Sequence, residues 1–220
     1  MFLLVAHTKG GVSKTTTAVN LVVMLAVKHG ADDVLLVDID SGQSGRAWSD
    51  VRSKRGLLPA ITCVTLFGSD VHLQIKRLAA KYKYIVIDAG GEGRGAAEIR
   101  SCLGIPGIKV LTPCRPPTPD SKRLTAMREM IAEARDLNPT LDAMLFPTQA
   151  STNSNSSDVI KFYSDVAEYT EFRVLETVMR YRVSYQTWLD SGEAVIEAKG
   201  KKRDPAAIEE FEQLYAEVFA

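Results

Sequence analysis

The sequence predicts an α/β fold, a doubly wound and mostly parallel β-sheet with helices on both faces. Two observations predict it. Short runs rich in β-branched and other apolar residues alternate with longer stretches of helical periodicity, the pattern of a strand–helix–strand chain. Those short runs are almost continuously apolar rather than alternating, as strands buried on both faces require. The 220 residues suit one such domain, so residues 1–220 are read as a single unit.

Each element follows in order. "FLLVAH" (2–7) is a buried strand, and "KTTTAVNLVVMLAVKHG" (14–30) a helix that Gly30 stops. "DVLLVDID" (33–40) and "ITCVTLF" (61–67) are strands. "VHLQIKRLAAKY" (71–82) is a helix, with Ser69 or Asp70 suited to cap it. "YIVIDAGG" (84–91) and "IKVLTPC" (108–114) are strands, 118–138 is a helix and "LDAMLFPTQ" (141–149) a further strand. The polar stretch "QASTNSNSSD" (149–158) reads as a surface loop at the ligand edge of the sheet rather than a domain boundary. The sheet is unfinished before it, and 170–179 supplies one more edge strand and its approach. The last helix spans 204–220 and is acidic.

Composition narrows the function classes. With 45% apolar and 25% charged residues the chain builds a core and a soluble surface. Lys plus Arg equals Asp plus Glu at 27 each, so any nucleic-acid surface must be a local patch. Cys63, Cys102 and Cys114 lack metal-ligand spacing and read as thiols in a reducing cytosol. The apolar start is too short for a signal peptide, and no stretch reaches membrane length.

The chemistry begins at "AHTKGGVSKTTTAVN" (6–20), where a strand passes through a glycine-rich turn into a helix that opens on Lys-Thr. Backbone N–H groups of Gly10, Gly11, Val12 and Ser13 and the helix N-terminus suit a polyphosphate, which makes this a P-loop NTPase type of sheet. Lys14 is positioned for the β- and γ-phosphates, the Thr15 hydroxyl for Mg²⁺ and Thr16 for the α-phosphate. Thr8 and Ser13 occupy the positions where the usual pattern carries glycine. If the loop needs a left-handed backbone at that position, Ser13 costs about 1 kcal/mol.

Two strands end in acids suited to a metal and a water. "YIVID" closes on Asp88, a metal candidate, and Gly90 and Gly91 follow where a backbone N–H can approach the γ-phosphate. "LLVDID" ends with Asp38 and Asp40 on the same side of one strand.

"KGGVSKTT" (9–16) resembles the deviant Walker A box of the ParA/MinD superfamily, and the chain is most similar to small plasmid-partition ParA proteins. The resemblance implies that Lys9 reaches the nucleotide held by a second subunit, so that ATP glues a sandwich homodimer. It implies that Asp40 orients the attacking water and that Asp38 joins Asp88 in the metal shell. "DIDSGQS" departs from the family's first switch by lacking Pro-Gln. "PCRPPTPDSKRL" (113–124) resembles a family turn that makes Asp120 a dimer-face residue, and the base is expected near Thr148 and Gln149.

The superfamily divides between DNA binders and membrane binders. An acidic last helix opposes anionic lipid, so no membrane partner is expected. Arg180, Arg182, Lys199, Lys201, Lys202 and Arg203 are the candidate contacts to nonspecific DNA. The resemblance therefore implies a cytoplasmic, nucleoid-associated ATPase whose slow hydrolysis a ParB-like centromere-binding adaptor stimulates. No arginine finger is evident in the sequence. The alternatives are the same switch positioning a protein cargo, or a nucleotide-binding scaffold with little turnover.

Overall fold

A computed structural model describes residues 1–91, 95–116, 121–153 and 155–220. The elements are β1 (Phe2–Val5), α1 (Lys14–His29), β2 (Val34–Asp38), α2 (Ser44–Lys54), β3 (Thr62–Thr65), α3 (Val71–Leu78), β4 (Tyr84–Asp88) and α4 (Ala96–Leu103). There follow β5 (Ile108–Cys114), α5 (Ser121–Leu137), β6 (Asp142–Pro147), α6 (Asp158–Val166), β7 (Arg173–Val174), α7 (Val183–Ser191) and α8 (Pro205–Phe219). Asp120 lies outside the described residues.

The strands form one seven-stranded sheet in the order β3-β2-β4-β1-β5-β6-β7, and every pairing is parallel. Alternate residues of each strand feed opposite faces. Leu3 and Val5 pack with Leu36, Val86, Phe211 and Leu214 on the face that α1 and α8 cover. Leu4 packs with Val37, Ile87, Ile99, Met127 and Phe162 on the other. The near-continuous apolar strands thus fill two cores.

Strand order assembles the site. β4 lies between β1 and β2, and in register Asp88 sits beside both Val5 and Asp38, the last residues of those strands. The loops leaving β1, β2 and β4 therefore converge at the carboxyl edge of the sheet, where parallel sheets bind ligands. Gly30 ends α1 at φ 93, its N–H bonded to the Ala26 carbonyl at 3.0 Å. Asp204 caps α8 by accepting the Ala207 N–H at 3.1 Å, and the buried face of that helix is apolar apart from Glu210 and the Tyr215 hydroxyl.

The edge strand and its approach expected over 170–179 are present: β7 pairs with β6 at Arg173 and Val174, and Thr177 then turns aside to bond the Glu217 carboxylate. Helices α2, α4, α6 and α7 have no counterpart in the sequence reading. In α2, "SGRAWSDVRSK" is mostly polar, and only Gly45, Trp48, Ser49 and Arg52 are buried.

Candidate functional site

The loop after β1 enters α1 through Ser13, whose backbone is left-handed at φ 68, ψ 26. The conditional cost of a serine there thus applies, at about 1 kcal/mol. The Ser13 carbonyl accepts the Thr17 N–H at 2.9 Å and hydroxyl at 2.8 Å, which locks the first turn of the helix. Lys14 is 7% exposed, and its ammonium folds back to donate to the Lys9 carbonyl at 2.7 Å. The Lys9 N–H in turn donates to His7 Nδ1 at 2.9 Å. The Lys9 side chain is half-buried. Its charge pulls down the pKa of the Cys114 thiol, which burial has pushed up to about 12.

The three acids differ sharply in their surroundings. Asp38 is buried, and its two oxygens accept the Asp40 N–H at 2.9 Å and the Arg46 N–H at 2.8 Å. Burial raises its pKa, and those N–H groups oppose the rise. Asp88 is fully buried, and neither of its oxygens has a hydrogen-bond partner among the described residues. Burial pushes its pKa up to about 8, the Asp38 charge adds to the rise, and Thr15 and Lys14 pull it back. Asp40 is half-exposed and accepts the Gly42 N–H at 3.0 Å.

Glycines make these close approaches possible. A Cβ on Gly91 would lie 2.7 Å from the Gly10 backbone and 2.8 Å from Lys14 Nζ. A Cβ on Gly45, in the first turn of α2, would lie 3.1 Å from Asp38 and 3.2 Å from Asp88 carboxylate oxygens.

Bare carboxylate oxygens on Asp88 and the hydroxyl of Thr15 are hard donors that fit Mg²⁺. Among the described residues no group of three or more His, Cys, Asp or Glu is placed to hold an ion. A cation here therefore needs phosphate oxygens and water to complete its shell, as Mg²⁺ at nucleotide sites does.

A cavity of about 400 Å³ opens over the loop. Gly10, Gly11, Ser13, Lys14, Thr15, Thr16, Asp40, Gly91 and Gln149 line it. Val12 and Thr148 are buried beneath the loop, where the Thr148 hydroxyl donates to the Val12 carbonyl at 3.2 Å. The far wall was not anticipated as such. It is made of Arg180, Tyr181, Arg182, Tyr185 and Gln186, with Ser44 opposite. The alternation of basic and aromatic residues in "RYRVSYQ" was its one visible signal.

The six candidate DNA contacts separate into two groups. Arg180 and Arg182 face the cavity, and Arg182 donates to Glu210 at 2.7 and 3.0 Å. Tyr185 donates to the same carboxylate, as does the Arg180 N–H at 3.1 Å. Lys199, Lys201, Lys202 and Arg203 are exposed on a strap that includes a 3-10 turn (Gly200–Lys202) and leads to Asp204. Lys201, Lys202 and Arg203 border one cleft with Val183, and Lys199 and Lys202 border another with Leu58. No helix among the described residues is long and apolar enough to cross a membrane.

No curated protein matches the sequence. Solved structures do match in shape. Apo McdA from Cyanothece superposes with a TM-score of 0.77 at 16% identity, over 100% of this chain and 99% of that one. An ATP complex of Cyanothece McdA superposes at 0.75 and 17% identity, over 99% and 95%. The MinD cell division protein of Aquifex aeolicus gives 0.66 at 13% identity, over 100% and 97%. A plasmid partition protein from Borrelia burgdorferi gives 0.57 at 17%, over 86% and 96%. At such identities the likeness is one of fold. Residues 3–195 match the model of the CobQ/CobB/MinD/ParA nucleotide binding domain. That match takes in the phosphate loop, the three acids and the cavity wall but stops short of the basic strap, and the chain belongs to the CobQ/CobB/MinD/ParA nucleotide-binding family.

Proposed function

We propose that residues 1–220 act as one ParA-like ATPase domain that takes ATP and Mg²⁺, forms an ATP-sandwich homodimer and binds nonspecific DNA to segregate a plasmid or chromosome. The observation that carries this reading is Asp88, a fully buried carboxylate with both oxygens bare among the described residues, beside a loop bearing Lys14 and Lys9. A buried acid without partners is costly unless a cation joins it.

Lys14 leaves a neutral carbonyl for anionic phosphate oxygens, a stronger charge-assisted bond. The N–H groups of residues 10–16 and the start of α1 hold the remaining phosphate charge. Thr15 and Asp88 would hold Mg²⁺, which would neutralise phosphate charge when bound. Asp38, fixed by two backbone N–H groups, contributes charge to the metal shell and shapes the switch that leads to Asp40. Asp40 orients the attacking water. Lys9 reaches the second subunit's nucleotide. Few groups act chemically, so turnover is slow, and a ParB-like adaptor raises it. The protein works in the cytoplasm, on the nucleoid.

Lys199, Lys201, Lys202 and Arg203 supply the phosphate-backbone contacts, four per subunit. Dimerisation doubles the patch, so ATP controls DNA affinity through avidity. The test is binding to nonspecific duplex DNA without nucleotide, with ADP, with ATP and with a slowly hydrolysed analogue. ATP-dependent binding that Lys9→Ala abolishes supports the reading, and no binding under any condition removes it. A second reading, the same switch carrying a protein cargo, draws on the full-length likeness to a cell division protein. ATP-dependent dimerisation without DNA binding favours it.

A further inference from the structure

Three non-glycine residues among those described have a left-handed backbone: Ser13 at φ 68, Gln43 at φ 52 and Gln149 at φ 54. Ser13 and Gln149 both line the cavity described above and touch each other, and Gln43 immediately precedes α2, whose Ser44 also lines it. Strain concentrated at a site persists only where the surroundings over-determine it. Thr17 holds the Ser13 carbonyl from within α1, and from across the sheet edge Gln149 holds its hydroxyl and Thr148 the preceding carbonyl.

The Gln149 side-chain amide donates to the Gly11 carbonyl at 2.7 Å and to Ser13 Oγ at 2.9 Å. A carbonyl only accepts, so the Gly11 contact fixes which end of the amide faces the loop. Between those two contacts, the Thr148 hydroxyl holds the Val12 carbonyl at 3.2 Å. Residues 11, 12 and 13 are thus each gripped from one short segment. That segment is itself anchored. The Thr148 N–H donates to the Cys114 carbonyl at 2.8 Å, the Ala150 N–H to Met179 at 3.1 Å, and the Tyr181 N–H to Ala150 at 2.7 Å.

We propose that Gln149 is a positioning residue for the phosphate loop: its amide clamps Gly11 and Ser13 and holds a serine in the left-handed turn that glycine would adopt freely. Sequence alone suggested Gln149 as a neighbour of the base; its amide bonds the loop. The clamp holds the loop backbone before any ligand arrives, so less ordering cost falls on ligand binding. The inference rests on the reading of that cavity as an ATP site only for its second readout.

The test is a mutant cycle of Gln149→Ala and Ser13→Gly, with Gln149→Glu as a third probe. Hydrogen exchange of the loop amides in nucleotide-free protein is the first readout, and affinity for ATP with Mg²⁺ the second. Gln149→Ala should speed loop exchange and weaken ATP roughly tenfold when residue 13 is serine, and by only about threefold when it is glycine, where the Gly11 contact alone is lost. Gln149→Glu should do more harm than Gln149→Ala, because a carboxylate oxygen then faces the Gly11 carbonyl. Equal effects in both backgrounds, or no change in loop exchange, would overturn the proposal. If loop exchange follows the cycle but even the wild type fails to bind ATP, the positioning role stands and the ATP reading falls.

Discussion

Arg52 is 1% exposed and meets both oxygens of Glu197, at 2.8 and 2.7 Å. Two more of its donors reach the Pro59 and Gly192 carbonyls at 3.0 and 2.9 Å. This pair ties α2, whose first turn grips Asp38, to the 3-10 turn (Val195–Glu197) just before the basic strap. Removing one partner of a buried pair strands the other charge. Glu197→Ala should therefore lower unfolding stability by about 3 kcal/mol. Arg52→Met, which removes the charge and fills the same space, should cost less when paired with Glu197→Leu than Glu197→Ala costs alone. Denaturant unfolding of the four proteins checks the order.

Asp88 makes the nucleotide-free protein sensitive to pH. Its pKa is about 8 when folded, against about 3.9 in an unfolded chain. The folded state therefore holds a proton that the unfolded state releases between those values. The stability this proton brings is fully present below pH 4 and is lost as pH rises through about 8. Asp38, also raised, acts in the same direction. Asp88→Asn should flatten the decline of unfolding free energy between pH 5 and pH 9. Saturating Mg²⁺ and ATP should release a proton from the wild type at pH 7, and calorimetry in buffers of different ionisation enthalpy measures it.

Gly90 and Gly91 should fail in different ways. A methyl on Gly91 meets backbone atoms of Gly10 at 2.7 Å, and backbone cannot swing aside. Gly91→Ala should therefore displace the loop and weaken ATP binding by about a hundredfold, since displacements near 1 Å at such sites cost that much. A methyl on Gly90 meets Asp40 Oδ1 at 2.8 Å, the end of a side chain that can rotate. Gly90→Ala should leave ATP affinity within roughly threefold and slow phosphate release instead, because Asp40 loses its aim. Titration and single-turnover hydrolysis separate the two outcomes.

The legible parts of the site share one property: they are local in sequence. Lys9 to Thr16 and the strand ends at Asp38 and Asp88 carry their chemistry within a few residues, and parallel strand order then brings them together. Helix α2 was invisible because its buried residues, Trp48 and Arg52 among them, contact carbonyls and a carboxylate far along the chain rather than forming an apolar stripe. The destination of Arg182 was hidden for the same reason. Counted as a surface cation, it is committed to Glu210, 28 residues on. Ser13 stood out as an unusual residue, but its partner Gln149 lies 136 positions away, and no periodicity links them.

The split between cavity arginines and the exposed strap yields a last prediction. Lys199, Lys201, Lys202 and Arg203 are exposed, and replacing all four should remove little packing. If they neutralise four phosphates per subunit, the slope of log affinity for duplex DNA against log salt should flatten by roughly 3.6 per subunit and about twice that in a dimer. ATP affinity should not change. Arg182→Ala should behave in the opposite manner. It leaves Glu210, 8% exposed, without its guanidinium, so stability and nucleotide binding should fall while the salt slope of any remaining DNA binding stays the same. A salt titration of the quadruple variant that overlays the wild type would remove the strap from the DNA surface. A slope change in Arg182→Ala matching a lost phosphate contact would return that arginine to it.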